Sequence, residues 1–158
     1  IEDLGINISC RGRSLKDDSM KIERSANKII LEGHDITLAS CSWGTSLAMK
    51  ASKELSLKGI KAEVVDLRVL NPFDAQELIR SVKKTGRLLS IDISWKSCGV
   101  SSEIITRVAE SLEPKDWRSK PIRITLPDAP APTSSALEKN YYPSVKQVFQ
   151  AALEQIKS

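Results

Sequence analysis

From Lys28 onward the chain alternates between two patterns. Short runs rich in Ile, Val and Leu give way to longer stretches in which apolar residues return every three or four positions. The runs "KIILEG" (28–33), "DITLASC" (35–41), "AEVVDLR" (62–68), "RLLSID" (87–92) and "PIRITLP" (121–127) predict strands. The uninterrupted Val64-Val65 calls for cover on both faces of a sheet, as in parallel strands. Helical spacing puts Leu47, Ala48, Ala51 and Leu55 on one face of a helix over about 45–58. A second stripe is Ile104, Ile105, Val108 and Leu112, and the last is Val145, Val148, Phe149, Ala152 and Ile156. Residues 35–68 have the length of one right-handed strand–helix–strand crossover. The expected architecture is a three-layer α/β/α domain over 28–158. Its sheet has about five strands, mostly parallel, with one antiparallel edge strand.

Local punctuation supports this division. Gly59 supplies a left-handed residue to end the first helix, with Ile60 closing over it. Pro72 stops the strand before it, because it has no N–H for a ladder. Asp74 is placed as an N-cap, with Glu77 three residues on as its capping-box partner and Phe73 stapled to Leu78. "KKTG" (83–86) ends that helix with cations at its negative pole. Arg80, Lys83, Lys84 and Arg87 therefore have a structural explanation. Residues 1–27, polar and charged with Gly5 and Gly12, are expected to be a linker or lead-in.

Composition narrows the function classes. The chain has 158 residues, enough for a full core, with 41% hydrophobic and 28% charged residues. Aromatic residues are only 4%, against a base-stacking nucleic-acid surface, and the net charge of +4 is spread among interspersed acids and bases. Neither a nucleic-acid nor a membrane partner is expected, since no run of about 18 apolar residues exists. Cys10, Cys41 and Cys98 are odd in number and form no CxxC, which disfavours a disulfide framework or zinc site and suggests a reducing, cytoplasmic setting. Cys41 is expected to be a small buried hydrophobe. The first residue is Ile1 and no signal peptide is recognised, so the chain is expected to be a piece of something longer.

Catalytic motifs are sparse. His34 is the sole histidine, and there is no GxSxG elbow, no GxxxxGK[ST] loop and no GxGxxG fingerprint. Two loops nevertheless fall where open α/β sheets bind ligands, beyond strand carboxyl ends. One holds Ser42, Trp43, Gly44 and Thr45, where helix N–H groups could hold an anion, although Thr45 or Ser46 acting simply as a helix cap is favoured. The other holds Asp92, Ser94, Trp95, Lys96 and Cys98. Trp95 is expected at an interface or under the next helix, and Asp92 is expected to cap a strand end or accept backbone N–H groups. Cys98 has no evident base beside it.

The segments "EGHDITLAS", "AEVVDLRVLNPFD", "SVKKTGRLLSID", "CGVSSEI" and "PIRITLPDAPAPTSSALEKNYYPSV" stand in an order that resembles the C-terminal domain of the transketolase superfamily. The best resemblance is to the beta subunit of the thiamine-diphosphate-dependent first component of 2-oxoacid dehydrogenases of the pyruvate, branched-chain or acetoin type. "IEDLG" resembles the tail of that family's pyrimidine-binding domain. "LPD" (126–128) also resembles deoxyxylulose phosphate synthase, which keeps that relative and transketolase itself open. The resemblance implies an enzyme that decarboxylates a 2-oxo acid and transfers the acyl group, using thiamine diphosphate and Mg held by other domains. It assigns this fragment no catalytic, cofactor or metal residue, and implies a subunit-assembly role with a homodimer or alpha/beta partner and, in some relatives, the acyltransferase core. Glycines usual near Ser101 and Leu126 are missing, so the 92–101 loop is expected to pack in its own way and pyruvate need not be the substrate. From another class, an independent α/β module binding an anion or a partner at the two loops fits the same residues.

Overall fold

The computed structural model describes residues 27–158. The expected lead-in over 1–27, including Cys10, lies outside the described residues except for Asn27. Five strands form one sheet: β1 (Lys28–Leu31), β2 (Ile36–Ser40), β3 (Ala62–Asp66), β4 (Leu88–Trp95) and β5 (Ile122–Leu126). Their order is β1-β3-β2-β4-β5, with β1 antiparallel to β3 and every other pair parallel. Helices α1 (Trp43–Ser56), α2 (Gln76–Thr85), α3 (Val100–Ser111), α4 (Ser135–Tyr141) and α5 (Val145–Lys157) complete the chain, with a short 3-10 turn at Pro114–Asp116.

Side-chain alternation along the strands builds a core on each face. Ile36, Leu38, Val64, Leu89 and Ile91 join Leu47, Ala51 and Leu55 of α1 and Val148 and Ala152 of α5. On the other face Ala39, Val65 and Leu88 meet Leu78 and Val82 of α2 and Ile104 and Val108 of α3. This is the expected three-layer arrangement with one antiparallel edge strand. The end of α1 also follows its sequence: Gly59 sits at φ 77°, and the Ile60 N–H returns to the Leu55 carbonyl at 3.1 Å.

Several boundaries differ from expectation. Helix α1 starts at Trp43 rather than near Thr45, and neither Thr45 nor Ser46 caps it. Strand β4 runs on to Trp95, where 87–92 was expected to end it, because Trp95 finds a register partner in Leu126 after an irregular step. The capping box at α2 does not form. The helix begins at Gln76 with Ala75 as its N-cap. Asp74 lies one residue too early, so its Oδ1 accepts the Gln76 N–H at 3.0 Å, and Glu77 turns away to pair with Arg80. Two tertiary contacts fix that entry: Asn27 Nδ2 donates to the Asp74 carbonyl, and Phe73 packs against the core that contains Leu78. Capping boxes do form at α5, between Ser144 and Gln147, and at the 3-10 turn, between Glu113 and Asp116. Helix α4, inside the proline-rich crossing, was not anticipated.

Candidate functional site

The chain leaves β2 toward β3 on one side and leaves β4 toward β5 on the other, so the winding direction reverses between β2 and β4. At such a reversal the following helices, here α1 and α3, pack on opposite faces and open a crevice at the strand carboxyl ends. Both loops singled out from the sequence lie there. Gly44 packs directly on β4: a Cβ at this position would lie 3.0 Å from the Ile91 carbonyl oxygen.

Most polar groups of the crevice are committed to one another. Thr45 is fully buried and donates to Asp66 Oδ1 at 3.0 Å, while Ser40 Oγ donates to Thr45 at 3.2 Å. Arg68 Nε holds the second oxygen of Asp66 at 2.9 Å. Asp92, at the end of the buried part of β4, accepts the Ser94 hydroxyl at 2.7 Å and the Ser101 N–H at 2.8 Å. The two elements are drawn so close that a Cβ on Gly99 would fall 2.9 Å from Asp92 Oδ2 and 2.3 Å from the Trp95 carbonyl oxygen. Ser101, where glycine was noted as usual, is buried with a hydroxyl that has no partner among the described residues. Cys41 lies half-buried beside these acids. Burial, then Asp92 and Asp66, push its thiol up, away from the reactive thiolate. Cys98 is exposed, with φ 57°.

Outside this polar layer the surface is aromatic. Trp43 and Trp95 are 46% and 55% exposed, so Trp95 is not covered by the following helix. Trp43 meets Tyr142 edge-on at 5.9 Å, and Tyr142 meets Tyr141 edge-on at 5.1 Å. Trp95 Nε1 donates to the Tyr141 hydroxyl at 3.2 Å, which donates onward to the Ala129 carbonyl at 2.6 Å. Sequence reasoning missed the two tyrosines and the Asp66–Arg68 pair. The "YYP" of 141–143 was the available signal.

His34 is an exposed turn residue beside Asp35. Three members of the basic run at the end of α2 have partners within the fold: Arg80 pairs with Glu77, Lys84 with buried Glu63, and Arg87 donates to the Gln155 and Asp35 carbonyls, while Lys83 is exposed. Among the described residues no group of three or more His, Cys, Asp or Glu side chains could hold a metal ion, and no helix is long and apolar enough to cross a membrane.

The family model of the transketolase C-terminal domain matches residues 26–148. The chain belongs to that family. The transketolase C-terminal domain described above is similar to the pyruvate dehydrogenase E1 component subunit beta, mitochondrial, of Caenorhabditis elegans. The two are 33% identical over 140 residues, covering 89% of this chain and 40% of that relative. It is 40% identical over 120 residues to the pyruvate dehydrogenase E1 component subunit beta of Rhizobium meliloti, covering 75% of this chain and 26% of the relative. It is also 37% identical over 124 residues to the acetoin:2,6-dichlorophenolindophenol oxidoreductase subunit beta of Bacillus subtilis, covering 78% of this chain and 36% of the relative. The chain thus spans well under half the length of these relatives. Its fold resembles a split-gene transketolase solved as an inactive beta4 tetramer, with TM-score 0.70 and 24% identity over 83% of this chain and 41% of that one.

Proposed function

We propose that this transketolase C-terminal domain is the assembly module of a thiamine-diphosphate-dependent 2-oxoacid dehydrogenase of the beta-subunit type, and that its strand-end face meets a partner subunit. The observation that carries this reading is the aromatic surface of Trp43, Trp95, Tyr141 and Tyr142. Four large rings from three separate segments lie side by side at the winding reversal, two of them about half exposed. Aromatic residues of this kind are enriched at the centres of protein interfaces, where a ring is buried at little entropic cost. Homology to beta subunits makes an alpha subunit, or a second beta subunit, the partner of choice. An acyltransferase core is a further candidate for the same enzyme.

The residues of the crevice do not fit thiamine diphosphate and its Mg. A metal-bound diphosphate needs uncommitted oxygen donors. Both oxygens of Asp66 are spent on Thr45 and Arg68 and one oxygen of Asp92 on Ser94 and the Ser101 N–H, and among the described residues no group of three or more His, Cys, Asp or Glu side chains could hold a metal ion. In the whole enzyme a 2-oxo acid is decarboxylated and its acyl group transferred, and the cofactor is held elsewhere. This domain's residues bind and orient subunits and enter no chemical step. The test is calorimetric titration of thiamine diphosphate with Mg into the 158-residue chain, beside an assay for carbon dioxide release from 2-oxo acids. No binding heat and no turnover are expected; either one, at stoichiometric level, refutes the non-catalytic role.

A further inference from the structure

We propose that the cleft between the end of β5, helix α4 and the start of α5 is a binding site for a small organic monoanion, a carboxylate on a short apolar body. The cleft adjoins the strand-end face and shares Tyr141 with its aromatic surface, but the inference does not rest on the assembly role. The cleft has a volume of about 320 Å3, within the range of small-molecule sites. Ile124, Leu126 and Pro143 supply an apolar floor and the Tyr141 ring a wall. That ring is held in place, because its hydroxyl both donates to the Ala129 carbonyl and accepts from Trp95.

Among the described residues of the lining, Lys96 carries the only charged side chain. Its backbone is clamped from both sides: its N–H donates to the Leu126 carbonyl at 3.1 Å, and its carbonyl accepts from Arg123 Nη1 at 3.2 Å. Its ammonium belongs to none of the ion pairs among the described residues. Thr125 and Asn140 also line the cleft, and among the described residues their side chains make no internal hydrogen bond. Gln147 also lines the cleft; its Oε1 accepts from Ser144, and its amide N–H groups have no partner among the described residues. One cation, several neutral donors and an apolar floor match a carboxylate with a hydrophobic tail.

The neighbouring charge sets the preference for a monoanion. Asp128 stands just outside the lining, with its carboxylate held by the Ser97 N–H at 2.9 Å and the Ser97 hydroxyl at 2.8 Å. Asp128 already draws on the Lys96 charge, so the single cation of the lining is left to balance no more than one further negative charge.

Amide NMR titrations of the 158-residue chain with isovalerate, isovaleramide and inorganic phosphate test this. Isovalerate is expected to shift Lys96, Thr125, Leu126, Asn140 and Tyr141 saturably, with the neutral amide and phosphate about tenfold weaker or more. Lys96→Met should weaken isovalerate about tenfold, and Lys96→Arg should retain most of the affinity, since Lys96 is a surface side chain whose loss leaves the core intact. Three outcomes overturn the proposal: no saturable shift at tens of millimolar isovalerate, an equal response to isovaleramide, or unchanged affinity in Lys96→Met.

Discussion

Lys84→Met should be among the most destabilising single changes on this surface, although Lys84 itself is about half exposed. Its partner decides this. Glu63 stands in β3, between β1 and β2, and its side chain is fully buried. Oε2 accepts the Gly33 N–H at 3.1 Å and the Lys84 ammonium, while Oε1 is buried without a partner among the described residues. Removing Lys84 leaves an ionised carboxylate in the core with one N–H to satisfy it. Breaking a buried pair from one side costs about 3–5 kcal/mol. The half-exposed lysine shows that water comes near, so the low end, about 3 kcal/mol, is expected. That is a large share of a typical stability of about 5–15 kcal/mol. At roughly 2–4 °C per kcal/mol for a chain of this size, Tm should fall by about 6–12 °C. Glu63→Gln removes the charge and keeps an acceptor for Gly33, and should cost about 1 kcal/mol. The double variant should therefore cost about 2 kcal/mol, less than Lys84→Met alone, which corresponds to a coupling of about 2 kcal/mol. Urea unfolding followed by circular dichroism measures all three proteins. A Lys84→Met cost below about 0.5 kcal/mol, the range of an ordinary surface change, would refute the reasoning by showing that water already satisfies Glu63.

Ser101→Ala should be neutral or stabilising by up to about 1 kcal/mol in urea unfolding, because it removes a buried hydroxyl without a partner and favours helix. A loss larger than that would mean the hydroxyl is bonded. Cys98 should be alkylated by iodoacetamide about tenfold faster than Cys41 at pH 8, since Cys41 is half-buried and its thiol is pushed up by burial and by Asp92 and Asp66; equal rates by mass spectrometry would contradict this. Asp128 is held below the usual carboxylate range by the Ser97 hydrogen bonds, with Lys96 adding to the effect. Its folded value lies below its unfolded one, so the tie to Ser97 is fully present above about pH 4 and lost as pH falls through the folded value. The Ser97 amide resonance should therefore move only below about pH 4, and a transition near neutrality would exclude this assignment.

The layers of the fold were legible because each rests on a local period. Val64-Val65, the stripe of α1 and the stripe of α5 each bury the faces their spacing implies. The misread places are those where a distant contact outweighs a local pattern. "DAQE" at 74–77 has capping-box spacing, but Asn27 and Phe73 fix the chain's entry one residue later. Helix α4 has no buried residue, so no apolar period marked it. Trp95 extends β4 because Leu126 offers a register partner, which nothing near residue 95 foretells. The strand-end rule pointed to Ser42–Thr45 and Asp92–Lys96, which adjoin where Gly44 packs on Ile91 and where the tyrosine rings link Trp43 to Trp95. It could not supply Tyr141 and Tyr142, which arrive from a helix later in the chain.

The assembly role is tested most directly by sedimentation of the intact beta-type subunit with its partner, comparing the parent with a Trp43→Ser/Trp95→Ser variant. Both side chains are about half exposed. The variant domain should therefore melt as the parent does, yet the complex should dissociate at concentrations where the parent stays assembled. A variant that assembles fully but loses turnover would contradict the account, because the aromatic face would then serve chemistry rather than contact between subunits.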